Sequence, residues 1–339
     1  MGYHDVWPIV PAMVGLASLL DLPALTGDLS RVEDALRLSV EAPDPFLTEV
    51  ASHLIMAGGK RLRPALALAA GYAAGPEASG RAASSDCVMG AVAVELVHLG
   101  SLYHDDVMDE ALTRRGVESV NARWGNLVAI LAGDFLLARA SEIAASLGTE
   151  IAGLLAATIS ELCEGQVREL SQVFNVTRSE EAYLEAIQGK TAALMSASCR
   201  IGALTARLPR PAIEAITLYG HRLGMTFQIV DDVLDVVATD EELGKPAGND
   251  LLTGVYTLPV IRAMAGVPDL RDLLGGPLDG DTMNRARDVV RSNGAVSAAL
   301  SVAAGYAAEA EDALRGFAQN PGVEALRALP REFVEGVPV

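Results

Sequence analysis

Two aspartate clusters, each at the end of a long apolar run, constrain this chain more than any other feature. They occur in HLGSLYHDDVMDEALTRRG and QIVDDVLD, and they consist of Asp105, Asp106 and Asp109, and of Asp231, Asp232 and Asp235. In each cluster the first and last carboxylates are four residues apart, so they share a helical face and repel each other. Such a cluster needs a counter-charge. A hard divalent cation with oxygen ligands, most suitably Mg²⁺ bridging to phosphate, supplies it.

Two arginines follow the first cluster. Arg114 and Arg115 come shortly after Asp109, and guanidinium groups suit phosphate because their planar donors bind two oxygens at once. Carboxylates for a metal followed by arginines for phosphate predict a diphosphate site. A solvated acidic turn beside a basic loop is the alternative. The second cluster favours the diphosphate site, with the two clusters facing each other across a cavity.

A third motif, GGKRLRP at residues 58–64, places Lys60, Arg61 and Arg63 beside a predicted helix N-terminus. Free backbone amides and cations at such a position form an anion site. A basic loop that only connects two helices is the alternative. Only three of the 26 basic residues are lysine, and all three, Lys60, Lys190 and Lys245, lie in candidate phosphate motifs. Lysine is a compact point charge that guanidinium does not always replace.

Apolar residues recur at helical spacing along most of the chain, and no stretch alternates as a strand does. Pro43 and Pro45 separate the first two predicted helices, Gly58 and Gly59 end the second, and Ser84 or Ser85 caps a central helix that ends at the first aspartates. Apart from this central helix, the predicted helices cover residues 29–40, 45–57, 64–74, 125–147, 149–173, 179–188, 191–208, 211–237, 256–265, 281–292, 295–319 and 322–334. We therefore predict an all-α fold, one large helical bundle around a central cavity.

The same pattern gives the domain organisation. Residues 1–339 form one predicted domain, with residues 1–28 as an irregular, Pro- and Gly-punctuated N-terminal extension. Residues 75–76 form a predicted turn, residues 107–118 a polar loop, and residues 238–255 a Gly-rich flap over the cavity.

Charge and cysteine usage limit the partners and the compartment. The net charge of −18 excludes nucleic acid as an expected partner. Three cysteines, Cys87, Cys163 and Cys199, are far apart and form no CxxC, which is typical of thiols in a reducing compartment. No uninterrupted apolar run reaches the roughly 18 residues of a transmembrane segment, and the N-terminus lacks the basic region of a signal peptide. We expect a cytoplasmic protein.

Taken together, DDVMD, DDVLD and GGKRLRP resemble the motifs of the trans-isoprenyl diphosphate synthases, the polyprenyl synthetase family, over residues 46–259. The resemblance implies the isoprenoid synthase fold and two substrates, isopentenyl diphosphate and an allylic prenyl diphosphate. It implies that Gly59, Lys60 and Arg63, with His98, bind the isopentenyl diphosphate. A core histidine is the alternative for His98. His104, beside the cluster, is expected to act at most from behind the metal ligands.

The resemblance also implies roles at the reacting centre. More than one Mg²⁺ ion is expected on the six aspartates. Arg114 is expected on the allylic diphosphate and Arg115 on the isopentenyl diphosphate. Further residues that match family positions at the reacting centre or on the allylic diphosphate are Lys190, Thr191, Gln228 and Lys245. Phe227 fits the substrate wall, although a plain core phenylalanine is equally compatible with the sequence.

One segment departs from the family pattern. The family often has DLxxGKxTLP after the second cluster, whereas this chain reads DLLTGVYTLP with Val255 in place of the lysine. Lys245 is then the expected flap lysine. Gly133 and Asp134, and the EGQ run at residues 164–166, also resemble family positions and are expected to serve packing.

Product length is predicted from the central helix. Gly100 and Ser101 lie five and four residues before Asp105, where bulky aromatic residues in the family stop elongation early. With these small residues, and Val97 and Val94 one and two turns further, a long tail can pass. The alternatives are that Gly100 allows close helix packing, and that another helix supplies the floor.

We therefore expect a homodimeric long-chain trans-polyprenyl diphosphate synthase. A short-chain geranylgeranyl diphosphate synthase and a non-catalytic subunit of a heteromeric synthase are the alternatives. A terpene cyclase, which uses one aspartate cluster, would not need the GGKRLRP motif.

Overall fold

The computed structural model describes residue 20 and residues 22–75, 80–240 and 247–338. These residues form helices joined by short connections, with one two-stranded antiparallel hairpin. In chain order the elements are α1 (Leu25–Ser39), α2 (Pro45–Met56), α3 (Leu62–Tyr72), α4 (Ser85–Met108), β1 (Thr113–Arg114), β2 (Val117–Glu118), α5 (Val120–Trp124), α6 (Asn126–Leu147), α7 (Thr149–Leu170), α8 (Glu180–Ile187), a π-helical turn (Gln188–Ala192), α9 (Ala193–Thr205), α10 (Arg210–Val237), α11 (Asn249–Thr253), α12 (Leu258–Gly266), α13 (Pro268–Leu273), α14 (Gly280–Ser292), α15 (Ala295–Ala313) and α16 (Pro321–Glu335).

Local chemistry starts several of these helices where the sequence predicts it. Ser84 caps α4 by accepting a hydrogen bond from the amide of Cys87 at 3.1 Å. Asp44 caps α2 by accepting from the amide of Phe46 at 2.9 Å, directly before Pro45. These side chains satisfy amides that have no partner within the helix. The predicted all-α fold is confirmed.

The bundle is built around α4, which packs against α6, α3 and α9, while α10 packs against α9 and α15. Small residues bring the helices close together. A Cβ atom added to Gly202 of α9 would lie 1.9 Å from the carbonyl oxygen of Ala67 in α3, so only glycine fits there. Buried apolar side chains from Leu20 to Val337 form one continuous core. This close packing fixes the two long helices, α4 and α10, that carry the aspartates.

The prediction that residues 1–28 are irregular is wrong at its end, because α1 begins at Leu25; residues 1–19 and 21 lie outside the described part. Asp28, in the first turn of α1, is buried and accepts hydrogen bonds from the hydroxyl of Tyr72 at 2.5 Å and from the amide of Ala83 at 2.7 Å. These distant partners hold the start of the helix, and no local sequence signal announces them.

Other differences from the predicted elements are local. The loop at 107–118 contains the β1–β2 hairpin, and α5, α11 and α13 were not predicted. The predicted helix at 191–208 begins as a π-helical turn and ends at Thr205, and the one at 295–319 ends at Ala313. The predicted flap at 238–255 contains the helix α11, while residues 241–246 and Pro76 of the predicted turn lie outside the described part. Short helices of five or six residues carry too few turns for a periodic signal.

Among the described helices, α4 is the one whose length and composition would allow it to span a membrane. Its most apolar window is 67% buried inside the protein, as expected for the central helix of a bundle.

Candidate active site

A cavity of about 840 Å³ opens between the C-terminal halves of α4 and α10 and the N-terminus of α3. Its walls carry both cationic and carboxylate side chains. The lining residues are Ala57, Gly58, Gly59, Lys60, Arg61, Leu62, Arg63, Glu95, His98, Ser101, Leu102, Asp105, Arg115, Lys190, Thr191, Phe227, Gln228, Asp231 and Phe333.

The first aspartate cluster divides into two kinds of carboxylate. Asp105 lines the cavity. Asp106 is fully buried; its Oδ1 accepts a hydrogen bond from Nε of Arg114 at 2.7 Å and forms an ion pair with Nη2 of Arg114 at 2.5 Å. The second oxygen of Asp106, Oδ2, is buried and has no hydrogen-bond partner among the described residues. Arg114 therefore holds Asp106 by one oxygen and leaves the other available to a further ligand.

Burial disfavours the charged form of these carboxylates. Burial raises the pKa of Asp105 to about 6; nearby Lys190 opposes the shift and Asp109 adds to it. Burial also raises the pKa values of Asp106 and Asp109 above their usual range. A cation bound between the carboxylates would reverse this effect, because it favours the charged form.

The second cluster is held by a chain of hydrogen bonds. The hydroxyl of Thr191 donates to Oε1 of Gln228 at 2.6 Å, and Nε2 of Gln228 donates to Asp232 at 2.8 Å. The hydroxyl of Tyr183 donates to the other oxygen of Asp232 at 2.6 Å. Burial raises the pKa of Asp232 to about 7, even though both hydrogen bonds favour its charged form. Thr191 and Gln228 thus orient the carboxylate.

The other two aspartates of this cluster face different surroundings. Asp231 lines the cavity that Asp105 also lines, so the two clusters share one space as the sequence predicts. Asp235 is buried and accepts from the amide of Asp250 at 3.2 Å, which ties the second cluster to α11.

Lys190 lies between the clusters, in the π-helical turn. Its Nζ forms an ion pair with Glu169 of α7. Burial lowers the pKa of Lys190, but Glu169, followed by Asp105 and Asp109, outweighs burial and raises it. Lys190 therefore remains a cation beside the first cluster.

The carboxylates fit divalent cations. Among the described residues, no three His, Cys, Asp or Glu side chains converge on one point as a complete metal cage. The buried oxygen of Asp106 that has no partner in the described part of the chain, and the pKa values that burial raises, indicate that the first cluster can accept a further counter-charge beside Arg114 and Lys190. Magnesium suits such a site because it is held by one or two carboxylates and takes its remaining ligands from water and substrate phosphates.

The anion turn, which we define as residues 58–63, joins α2 to α3. Gly58 and Arg61 have positive φ values of 84° and 49°. Nη1 of Arg115 donates to the carbonyl of Leu54 at 3.1 Å and also to the carbonyl of Gly58. Gly59 has a φ of 153°, which strains any residue with a side chain, and a Cβ atom there would lie 2.7 Å from Arg115 Nη1, so both features favour glycine. The turn and Arg115 thus form one unit.

Within the turn, Arg61 differs in role from its neighbours. It is 6% exposed and pairs with Glu33 of α1 and, at 2.9 Å, with Glu95 of α4. Burial lowers its pKa, but Glu33 and Glu95 outweigh burial and raise it. Arg61 therefore fastens the turn, while Lys60 is exposed. The sequence motif alone does not distinguish these two cations.

Arg63 and His98 also line the cavity. Burial lowers the pKa of Arg63 to about 10, and its Nε is buried without a hydrogen-bond partner in the described part of the chain. Burial, followed by Arg63 and Arg115, lowers the pKa of His98 well below its usual value, so the imidazole is neutral near pH 7. An anion in the cavity would give Arg63 the partner that it lacks.

Several residues of the site were not predicted as members. Glu95 and Glu33 hold Arg61, Glu169 pairs with Lys190, and Tyr183 holds Asp232. Arg178 is 4% exposed, and its guanidinium lies 5.5 Å from the ring centroid of Tyr183. Glu169 lies three residues after Gln166 of the EGQ run, on the same helical face. This spacing was the sequence signal that could have identified Glu169 as a site residue.

Three residues of the predicted product channel, Gly100, Val94 and Val97, do not line the cavity. A Cβ atom on Gly100 would lie 3.1 Å from the carbonyl of Gly133 and from Leu137, so Gly100 faces α6 and allows close packing rather than lining the cavity. Val94 and Val97 are fully buried and do not line the cavity, and the route of the tail along them stays a prediction. The sequence of a helix does not show which neighbouring helix packs against each of its faces.

The remaining predictions have mixed outcomes. Ser101 and Phe227 do line the cavity. Lys245 lies outside the described residues. His104 packs on Gly133, and its Nε2 lies 3.2 Å from the carbonyl oxygen of Ile130 and 3.4 Å from Asp134. It therefore braces α4 against α6 beside the cluster.

Comparisons with known proteins agree with this geometry. A family profile described as "Polyprenyl synthetase" matches residues 44–312. A nonaprenyl diphosphate synthase of Mycobacterium tuberculosis is 39% identical over 325 residues, which cover 94% of this chain and 96% of that protein. Component 2 of a heptaprenyl diphosphate synthase of Geobacillus stearothermophilus is 38% identical over 308 residues, covering 90% of this chain and 94% of that protein.

A solved structure gives the same result for the fold. The polyprenyl synthase of Caulobacter crescentus, crystallised with calcium and isoprenyl diphosphate, has a TM-score of 0.87 and 34% sequence identity, with 94% of this chain and 97% of that chain covered.

Proposed function

Because this chain belongs to the polyprenyl synthetase family, we propose that it condenses an allylic prenyl diphosphate with isopentenyl diphosphate to give a long-chain trans-polyprenyl diphosphate. One observation carries this proposal. The anion turn and one aspartate of each cluster, Asp105 and Asp231, line the same cavity, so two diphosphates can be bound side by side, one by cations and one by carboxylate-held metal.

The isopentenyl diphosphate binds at the anion turn. Gly59, Lys60, Arg63 and Arg115 surround it, with the neutral His98 as a further hydrogen-bond partner. Support comes from Arg63, which is buried without a partner for its Nε among the described residues, and from the ion pairs that fasten Arg61 behind the turn.

The allylic diphosphate binds between the aspartate clusters. Asp105, Asp106 and Asp109 on one side and Asp231, Asp232 and Asp235 on the other hold more than one Mg²⁺ ion. Arg114 and Lys190 provide protein cations for the same phosphate. The metal in the related Caulobacter crescentus structure is calcium, a hard cation that, like magnesium, takes oxygen ligands.

Charge placement explains the reaction. When bound, the divalent ions stabilise the negative charge that develops on the departing diphosphate. Lys190 adds charge at the same place, and Thr191 and Gln228 keep Asp232 in position. The allylic carbon loses diphosphate and becomes a carbocation, and the isopentenyl double bond attacks it. A proton is then lost, and the departed diphosphate is its proposed acceptor.

The flap takes part through Lys245, which we place on the allylic diphosphate. Val255, where the family often has lysine, leaves Lys245 as the flap lysine.

A long product is supported by relatives whose names specify nonaprenyl and heptaprenyl synthases and by the small side chain of Ser101 on the cavity wall. A short-chain geranylgeranyl diphosphate synthase would stop after fewer condensations. A non-catalytic subunit is a second candidate, because one relative is a component of a two-part synthase. The presence of all six aspartates favours a catalytic chain.

We further propose a cytoplasmic homodimer of one-domain chains. Leu127, Ile130 and Leu131, near the start of α6, are 79%, 40% and 67% exposed. They lie three and four residues apart, on one helical face, and an exposed apolar face of this kind is typical of a protein interface.

One incubation tests the function. The purified chain, alone, is supplied with Mg²⁺, isopentenyl diphosphate and an allylic diphosphate, and the dephosphorylated products are separated by chromatography. We expect prenyl alcohols longer than geranylgeraniol, and no turnover after thorough chelation until Mg²⁺ is returned. No condensation by the chain alone would support a subunit, and a product that stops at geranylgeranyl would support the short-chain alternative.

A further inference from the structure

The C-terminal helix α16 contributes an aromatic side chain, Phe333, to the substrate cavity. It is 1% exposed, and its ring meets that of Phe227 edge to face with 5.5 Å between the centroids. Phe227 is half-buried on the cavity wall. Phe333 therefore lies mainly behind Phe227 and fixes the plane of that ring, since aromatic pairs prefer this geometry.

Helix packing places this pair beside the anion turn. A Cβ atom on Gly322, at the start of α16, would lie 2.9 Å from the backbone of Tyr72, at the end of α3. The end of α16, with Phe333, and the start of α3, with Leu62, line the same cavity. The two helices therefore run antiparallel. Phe333 lies near the N-terminus of α3, which directly follows the anion turn.

A second contact fixes the position of Phe333 along the axis of α10. The hydroxyl of Tyr219 in α10 donates to the carbonyl of Leu326 in α16 at 2.7 Å. Phe227 lies eight residues after Tyr219, and Phe333 lies seven residues after Leu326. At 1.5 Å per residue the two rings reach the same level.

From these contacts we infer that Phe333 is a positioning residue that sets, through Phe227, the size of the pocket for the hydrocarbon of the homoallylic diphosphate held at the anion turn. This inference rests on the proposed function. A five-carbon unit whose diphosphate is bound at the turn extends along the apolar part of the cavity wall, which includes the Phe227–Phe333 pair. Shortening the supporting side chain lets the Phe227 ring move back, so that a bulkier donor fits.

The test uses isopentenyl diphosphate and its homologue with ethyl in place of the C3 methyl group. In the wild-type chain we expect kcat/KM to be lower for the homologue by about 10-fold or more, because one extra carbon in a fitted pocket gives discrimination of this order. Phe333→Leu should narrow this ratio at least about fivefold, while KM for the allylic diphosphate stays within about twofold. Phe317→Leu is the matched control, because Phe317 is a half-buried phenylalanine that packs on the core outside the cavity.

A double-mutant cycle separates positioning from general loosening. If Phe333 acts through Phe227, Phe333→Leu should change the donor ratio much less in a Phe227→Leu background than in the wild type, because contacting residues are not additive. Additive effects, an unchanged donor ratio in Phe333→Leu, or an equal change in Phe317→Leu would overturn the inference. If Phe333→Leu does not fold, Phe333→Met is measured in the same way and is held to the same outcomes. Absence of condensation by the wild-type chain would instead overturn the proposed function.

Discussion

At the scale of single residues, the aspartates are held in surroundings that disfavour their own charge. Burial raises the pKa of Asp105 to about 6 and that of Asp232 to about 7, against about 3.9 for aspartate in an unfolded chain. Between these values the folded protein binds more protons than the unfolded chain does. The contribution of these groups to the free energy of unfolding therefore falls as pH rises from about 4 to 7.

The unfavourable burial of the charged Asp105 carboxylate near neutral pH leads to a prediction for the metal-free protein. Asp105→Asn removes the buried charge, so it should raise the free energy of unfolding at pH 7.5 by on the order of 1–3 kcal/mol, measured by urea denaturation in EDTA. The same substitution should lower kcat by at least about 100-fold, because it removes an oxygen ligand of the metal. Asp272→Asn, at an exposed position of α13 outside the cavity, is the control. Loss of apo stability together with normal turnover would contradict both parts.

A second residue-scale prediction concerns the two cations of the anion turn. Lys60 is exposed at the cavity, whereas Arg61 is buried between Glu33 and Glu95. Lys60→Ala should raise KM for isopentenyl diphosphate by about 10- to 100-fold, since a charge-assisted phosphate contact contributes about 1.5–3 kcal/mol. KM for the allylic diphosphate should change little.

Arg61→Ala provides the contrast. It leaves the buried Glu95 and the half-buried Glu33 without this cation, so it should mainly lower the melting temperature. Steady-state kinetics with each substrate varied in turn, and thermal unfolding of both variants, make the comparison. A larger effect of Lys60→Ala on the allylic substrate would reverse the assignment of the two pockets.

At the scale of elements, the packing of α4 against α6 separates two neighbouring small residues. Gly100 contacts the backbone of Gly133, whereas Ser101 lines the cavity. The two positions are adjacent in sequence, but a helix turns by about 100° per residue, so they face different neighbours. Only one of them can limit the length of a product.

We therefore predict different results for phenylalanine at the two positions. Ser101→Phe should shorten the product while the first condensation persists, because its ring enters the cavity. Gly100→Phe should lower the free energy of unfolding by about 1–3 kcal/mol or more through overpacking, with product length unchanged in the molecules that fold. Chromatography of dephosphorylated products and denaturant titration decide the matter. A normal long product from Ser101→Phe would show that the floor lies on another helix.

At the scale of the whole molecule, the exposed apolar face of α6 leads to a prediction about assembly. If two chains pair through this face, Leu131→Glu should place a charge in a buried interface and convert the dimer to a monomer. Light scattering coupled to size-exclusion chromatography measures the mass. Leu38→Glu on α1 is the control, because Leu38 is similarly exposed, at 63%, but lies on another face. A wild-type protein with the mass of one chain would contradict the proposal.

The sequence by itself determined the helices and the chemistry at their ends. Apolar periodicity, the Ser84 cap and the prolines predicted the long helices, because these signals act within a few residues. The spacing of the aspartates and the GGKRLRP motif were also sufficient to predict a metal and diphosphate site, because helical geometry converts spacing into a shared face.

Only the tertiary structure decided which of these residues face the substrate cavity. In the folded chain Asp106 pairs with Arg114, and Arg61 pairs with Glu33 and Glu95. Gly100 faces α6. Phe333 of the last helix packs against Phe227. The physical reason is that spacing fixes the face of a helix on which a side chain lies, but not the neighbour that covers this face. That neighbour is set by packing between segments far apart in the chain, 106 residues apart for Phe227 and Phe333, and it has no local signal in the sequence.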